Sequence, residues 1–310
     1  MGMGSVIDEA RQRGNEASTE LLTNLHSTLN QGLRTSIGLP GDPPPPCMDP
    51  NLAYFSPDSI VRQIHADLPS MLIGGLASLL MQMLHPLAMA GVAQHSAYRS
   101  DPLGRLERTA FFIGITSFGT ADDAQQAIDL VNKIHASVQG TTSDGRPYRA
   151  TDPDLITWVH AAEVSCFLAG AERYGSIELS EADKDDYLKE MSKIAFALGA
   201  TWVPMTNREL AEYFVAIQPE LEFTREARQA RNFVLKGVRR LPHELATHLT
   251  LTTAAQALLP PWAQRQLHLP RIAIVDRLTV EPTAQRLSAL LRWIARDPKA
   301  VHEPESAMQP

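Results

Sequence analysis

The chain has little cysteine, few aromatics, no excess of positive charge and no long stretch that alternates apolar and polar residues. Only two of its 310 residues are cysteine. Cys47 follows a proline run and Cys166 lies in an apolar stretch, so no disulfide framework is expected, as in a reducing compartment. The missing alternation argues against a substantial sheet. VRRL (238–241) and RIAIV (271–275) are the only weak strand candidates. A net charge of −7 and a pI near 5.8 argue against a nucleic-acid binder, which needs a basic surface to neutralise phosphate. There is no GxGxxG, P-loop, GxSxG elbow, HExxH or CxxC pair, so nucleotide, hydrolase and zinc readings lack motif support. The N-terminus, MGMGSVIDEARQRG, has no apolar core segment, so a cytoplasmic location without a secretory signal is expected.

One long apolar run exists, Leu68 to Val92. It contains Pro69, Gln82, His85 and Pro86, and Gly74-Gly75 interrupts it. A buried central helix broken near Pro86 explains it better than a membrane span. The chain as a whole is 44% hydrophobic and 20% charged, an ordinary globular balance. A chain of this length buries roughly 75% of its unfolded surface and needs no staples.

What is present reads as helix after helix. Residues 5–35 carry an amphipathic pattern (Ile7, Leu21, Leu22, Leu25, Leu29, Leu33), followed by the proline-rich connector GLPGDPPPPCMDP, residues 38–50. This predicts an N-terminal helical arm and connector, 1–50, and one compact helical domain, 51–310. The arm packs on its own core or across a homodimer. Helix starts are predicted at Ser56-Pro57-Asp58, Asp101-Pro102, Thr120, Asp152-Pro153, Ser180, Thr206 and Thr224, where a capping side chain or a proline at the first position ends the preceding loop. Gly140–Arg149 reads as a polar loop. The fold class is all-α.

Three groups of residues could carry chemistry. Arg105, Arg108 and Thr109, spaced by three and four, share one helical face amid Leu106, Phe111, Phe112, Ile113 and Ile115, which predicts a largely buried helix. Such a cluster binds an anion, a propionate or a polarised oxygen species; alternatively the arginines pair with surface acids. His135 falls in the stripe Ile128, Val131, Ile134, Val138. There it is a metal or haem ligand, or a core histidine bonded to a carbonyl. His160 and Glu163, three apart, offer two metal ligands on one face or a structural pair, with no second such pair to complete a di-metal site. His85 marks the helix break, and His95-Ser96 ends that segment.

Taken in order, the set His85-Pro86, His95-Ser96, Asp101-Pro102-x-x-Arg105-x-x-Arg108-Thr109, His135-x-x-Val138-x-Gly140, Gly145-x-Pro147-Tyr148, Asp152-Pro153 and Trp158-Val159-His160 resembles the bacterial latex clearing proteins (rubber oxygenases) and the fungal MpaB-type oxygenases. The resemblance covers roughly residues 58–265. It implies a globin-like core holding haem b, with His135 as the iron ligand and Arg105 and His160 among the residues touching the cofactor. The arginine, lysine and threonine of the rubber enzymes' distal side read here as Arg105, Arg108 and Thr109, the implied catalytic residues. Arginine stands in place of lysine; it stays protonated and is a poor iron ligand. The family's distal carboxylate base has no counterpart, since Met89 and its neighbours offer no acid. The implied activity is haem-dependent oxidation of an apolar small molecule by O2 or peroxide, with oxidative alkene cleavage as the concrete form. Two other readings stay open: a helical binding protein for an apolar carboxylate, and a non-haem iron or manganese oxidase built on His160 and Glu163.

Overall fold

Prolines and short polar side chains set most helix boundaries, and the helices then pack around one long central member. In the computed structural model, residues 46–237, 242–269 and 273–295 are described. The helices are α1 (Ile60–His65), α2 (Leu68–Gln82), α3 (Pro86–His95), α4 (Pro102–Phe118), α5 (Ala121–Ser137), α6 (Pro153–Tyr174), α7 (Glu181–Ala197), α8 (Asn207–Ala216), α9 (Arg225–Lys236), α10 (Pro242–Leu258), α11 (Pro261–Gln266) and α12 (Glu281–Ala295). A turn at Ala273–Val275 and a π-helical segment at Asp276–Val280 lead into α12. Among the described residues the protein is all-α apart from one small hairpin. The N-terminal arm and most of its connector lie outside the described residues, as do VRRL and the first two residues of RIAIV.

The capping expectations hold at six positions. Asp101, Thr120, Asp152, Ser180, Thr206 and Thr224 each accept a hydrogen bond from a backbone N–H of the first turn they precede. Ser180 and Asp183 form a reciprocal capping box. Gly199, with φ +106°, follows α7 in the left-handed conformation that suits glycine. The start expected at Ser56-Pro57-Asp58 is corrected: α1 begins three residues later, with Ser59 as its cap, while Ser56 hydrogen-bonds Asp58 instead. The loop expected at Gly140–Arg149 is also corrected. Gln139–Thr141 pairs antiparallel with Pro147–Arg149 (β1 and β2), and Gly145 at φ +91° makes the turn. Three-residue strands are too short to show alternation. The last part of RIAIV is helical.

The apolar run divides as its prolines require. α2 and α3 meet at 106°, with His85 as N-cap and Pro86 as first residue of α3. Proline lacks the N–H that would continue α2, but costs nothing at a helix start. Among the described residues no single helix is long and apolar enough to cross a membrane; only this bent pair passes by length and composition.

The central pair is α2 against α6, which share the most extensive contact in the molecule. Two glycines permit it. A Cβ at Gly74 would lie 2.8 Å from the Cys166 carbonyl oxygen, and one at Gly170 would lie 2.7 Å from that of Ser70. Fully buried Trp158 donates its indole N–H to the Gln82 carbonyl at 3.2 Å, fixing the other end of the crossing. Ile73, Ala77, Leu80, Met81, Trp158, Ala162 and Cys166 join α9–α11 residues in one apolar cluster. Ala161, Val164, Phe167 and Leu168 pack on the other side with α1 and α7. Each large side chain buried there contributes roughly 1.5–3 kcal/mol. Arg292 of α12 donates to both Asp67 oxygens, at 2.5 and 2.9 Å, clamping the C-terminal helix to the α1–α2 junction.

Candidate functional site

α4 carries the two arginines and the threonine, and the structure separates them. Arg108 points outward and pairs with Asp101 at 3.2 Å, both side chains more than half exposed. The surface-pairing alternative is what Arg108 shows, and such a pair contributes little. Thr109 is exposed and donates to the Arg105 carbonyl of its own helix at 3.0 Å. Arg105 is different. Half-buried, it reaches back to the Ser96 hydroxyl at the end of α3. Among the described residues no carboxylate pairs with it. Burial, and secondarily Arg108, lowers its pKa, yet a guanidinium stays charged. An inward cation whose one side-chain partner is a neutral hydroxyl is suited to an anionic or polarised oxygen ligand. The expectation that α4 is largely buried is corrected: among its described side chains only Thr116 and Ser117 are fully enclosed, and Phe111 is 60% exposed. The helix packs mainly against α5, at the rim of the core.

His135 sits on the inner face of α5. Ala124 and Ile128 are completely buried, and half-buried Val131 and His135 continue that face. Its Nδ1 is enclosed without a hydrogen-bond partner. Burial lowers its pKa, so the ring is neutral at physiological pH, the form that ligates iron. One turn on, Val138 packs with Ala90, Tyr148 and Leu155. Asn132 donates to the Ala197 carbonyl at 3.0 Å, tying α5 to the end of α7. The carbonyl-bonded alternative for His135 is not what the structure shows.

The hairpin brings these elements to one end of the molecule. Tyr148 donates its hydroxyl to Gln94 at 2.7 Å, and His95 Nε2 lies 3.2 Å from both the Tyr148 hydroxyl and the Gln139 carbonyl. The end of α3 thus touches the hairpin that follows His135 and, through Ser96, the side chain of Arg105. Arg105 and His135 flank the same scaffold although thirty positions separate them in sequence.

α6 supplies a second pair of groups. His160 is 6% exposed, and its Nε2 has no partner. Burial lowers its pKa to about 4. Glu163, one turn on, has no hydrogen bond or ion pair among the described residues. It keeps some accessible surface, yet burial raises its pKa to about 7. Glu163 is thus partly accessible yet closely surrounded by protein, as a group lining an internal recess would be. The contacts Gly74–Cys166 and Trp158–Gln82 set the α2–α6 register and put Glu163 about level with Ala77. Among the described residues, no three His, Cys, Asp or Glu side chains converge on a common metal position.

Two other histidines are enclosed. His65, which the sequence did not single out, bonds Ser117 at 2.7 Å and Tyr187 at 2.9 Å, and burial lowers its pKa to about 3. Both nitrogens are used, so it is structural. Its cue was faint, one imidazole in the short apolar stretch Ile60–His65. His85 caps α3 with Nδ1 unpartnered, 6.0 Å between ring centres from Trp158.

In fold the protein is a helical domain that brings Arg105 and His135 to one end of the molecule, the class of a helical catalytic domain once its family is known. The family model "ER-bound oxygenase mpaB/B′/Rubber oxygenase, catalytic domain" matches residues 62–296, and the chain belongs to that family. No curated protein and no solved structure gives a match.

Proposed function

We propose that the protein is a haem b-dependent oxygenase acting on an apolar small molecule. The observation that carries this reading is His135: a neutral imidazole on the core-facing side of α5, one nitrogen enclosed and unpartnered, in a chain of an oxygenase family. The residues fit the cofactor. His135 would hold its iron, and Arg105 would pair with one of its propionates. Bound haem supplies the activation of O2 or peroxide.

The chain's own residues do the rest. The α2–α6 packing and the apolar faces of α4 and α5 exclude water from the interior, which strengthens the field of Arg105 on a negative oxygen. Ser96 orients that guanidinium, and the Tyr148–Gln94–His95 network holds the end of α3 that carries Ser96. Arg108, held outward by Asp101, adds positive charge near Arg105 but touches nothing inside. Oxidative cleavage of an alkene is the reaction this reading favours for an apolar substrate. The carboxylate-binding alternative uses the same Arg105 and differs in needing no chromophore.

The test is an absorption spectrum with a pyridine haemochromogen assay on protein supplied with haem. The expected result is a Soret band and stoichiometric haem b, lost in His135→Ala and retained in Arg108→Ala. Colourless protein, or a spectrum indifferent to His135→Ala, would overturn the proposal.

A further inference from the structure

The reading above absorbs Arg105 and His135 and leaves His160 and Glu163 without a task. Both are anomalies of the central helix. α6 is otherwise apolar where it is enclosed: Ala161, Ala162 and Val164 are 0% exposed on either side of Glu163. The other polar side chains of this helix's enclosed half have partners. Thr157 donates to the Trp202 carbonyl at 2.7 Å, Trp158 to that of Gln82, and Ser165 to that of Ala162. Enclosed His160 Nε2 has none, and the partly accessible Glu163 carboxyl has none among the described residues. They are one turn apart on one side of the helix, so their side chains are neighbours.

An enclosed polar group without a partner costs roughly 1–3 kcal/mol, and two in one place are retained against that cost. A pure hydrocarbon in the recess would leave both unsatisfied. A firm cation would need a settled negative charge opposite it. Burial keeps the carboxyl mostly protonated below about pH 7, where the imidazole is already neutral down to about pH 4. A hydroxyl donates and accepts at once, so it can accept from a protonated carboxyl and donate to the imidazole, or the reverse.

We propose that His160 and Glu163 form the polar end of the substrate site and that the substrate is an apolar chain bearing a hydroxyl group, not a bare hydrocarbon. The proposal rests on the oxygenase reading for the word substrate. The binding preference itself does not depend on haem. His160 and Glu163 are here specificity-determining residues, which touch the ligand away from the reacting carbons.

The test compares geraniol with its deoxy hydrocarbon, in which hydrogen replaces the hydroxyl, by isothermal titration calorimetry on the full chain. Wild type is expected to bind the alcohol about tenfold more tightly, as one to two buried hydrogen bonds would give. Glu163→Gln, which still offers a donor and an acceptor, keeps the preference. Glu163→Leu and, separately, His160→Leu reduce it towards one. Two apolar variants guard against one failing to fold, and an apolar residue at an enclosed position removes an unsatisfied group. Equal binding of the two ligands by wild type, or a preference that survives both leucine variants, overturns the proposal. So does geranylamine binding more tightly than geraniol in wild type and losing that advantage in Glu163→Gln, because the site would then select a cation. A haemochromogen assay on the same preparations separates the two readings. Haem present with no alcohol preference refutes this inference alone; an alcohol preference without haem refutes the oxygenase reading alone.

Discussion

Replacing Glu163 with glutamine stabilises the protein at pH 8 and changes little at pH 4. The sign follows from proton binding. Burial raises the Glu163 pKa from 4.5 to about 7, so between those values the unfolded chain ionises this group while the folded one keeps its proton. The folded state is favoured by this group below pH 4.5, and that advantage is lost as pH rises through about 7. Each pH unit in that window costs about 1.4 kcal/mol, so the full effect is about 3 kcal/mol. Partial accessibility makes that an upper figure. Glutamine has nearly the same shape and never ionises, so it removes the pH-dependent part and leaves packing unchanged. With an unfolding entropy of about 2.1 cal/mol/K per residue, 3 kcal/mol corresponds to a Tm gain of about 5 °C in a chain of this length. The assay is differential scanning calorimetry of wild type and variant at pH 4, 6 and 8. The difference should grow between pH 4 and 8. A difference independent of pH, or a variant less stable at pH 8, would show that Glu163 is not a desolvated, unpartnered acid.

Other consequences are as direct. Acid should weaken the fold below pH 6.5, because His65, His85 and His160 have folded pKa values of about 3, 4 and 4 and only the unfolded chain takes up their protons in that range; urea midpoints that stay level from pH 6.5 to 4.5 would contradict this. Gly74→Ala forces a methyl against the Cys166 carbonyl at the α2–α6 crossing and should cost about 1–3 kcal/mol in urea unfolding, whereas alanine at Gly114, which has nothing within 4 Å, should not destabilise by clash. Arg108→Ala should change stability by at most about 0.5 kcal/mol, since its pair with Asp101 is exposed on both sides. Asp67→Asn should cost more than Arg108→Ala, because Asp67 is enclosed and receives both Arg292 donors.

The comparison of Arg105 with Arg108 shows where sequence reasoning stops. Helical spacing predicted both on one side of α4. It could not say that Asp101, also on this element, would draw Arg108 outward while Arg105 turned back to Ser96. That choice depends on α3 ending next to α4, a contact between helices. Glu163 makes the same point differently. Its spacing from His160 is visible in the sequence and suggests two metal ligands. Only the packing of α2 on α6 shows an isolated acid facing a recess, with no third ligand near among the described residues. The hairpin was invisible because three-residue strands carry no period, and His65 because one imidazole in a short helix gives no pattern.

By itself the sequence determined the helical class, most helix boundaries and the break at Pro86. Those rest on local physics: a capping oxygen meets an N–H two or three residues away, and a proline removes a donor wherever it stands. It also placed His135 on an inward face, since periodicity says which side of a helix is apolar. Tertiary structure alone decided which polar groups found partners. Among the described residues Arg108, His65 and Trp158 did; His135 Nδ1, His160 Nε2 and the Glu163 carboxyl did not, and the side chain of Arg105 found a hydroxyl. Hydrogen-bond satisfaction depends on what other elements bring within about 3 Å, so the polar groups left for a ligand could be recognised only after the helices had packed.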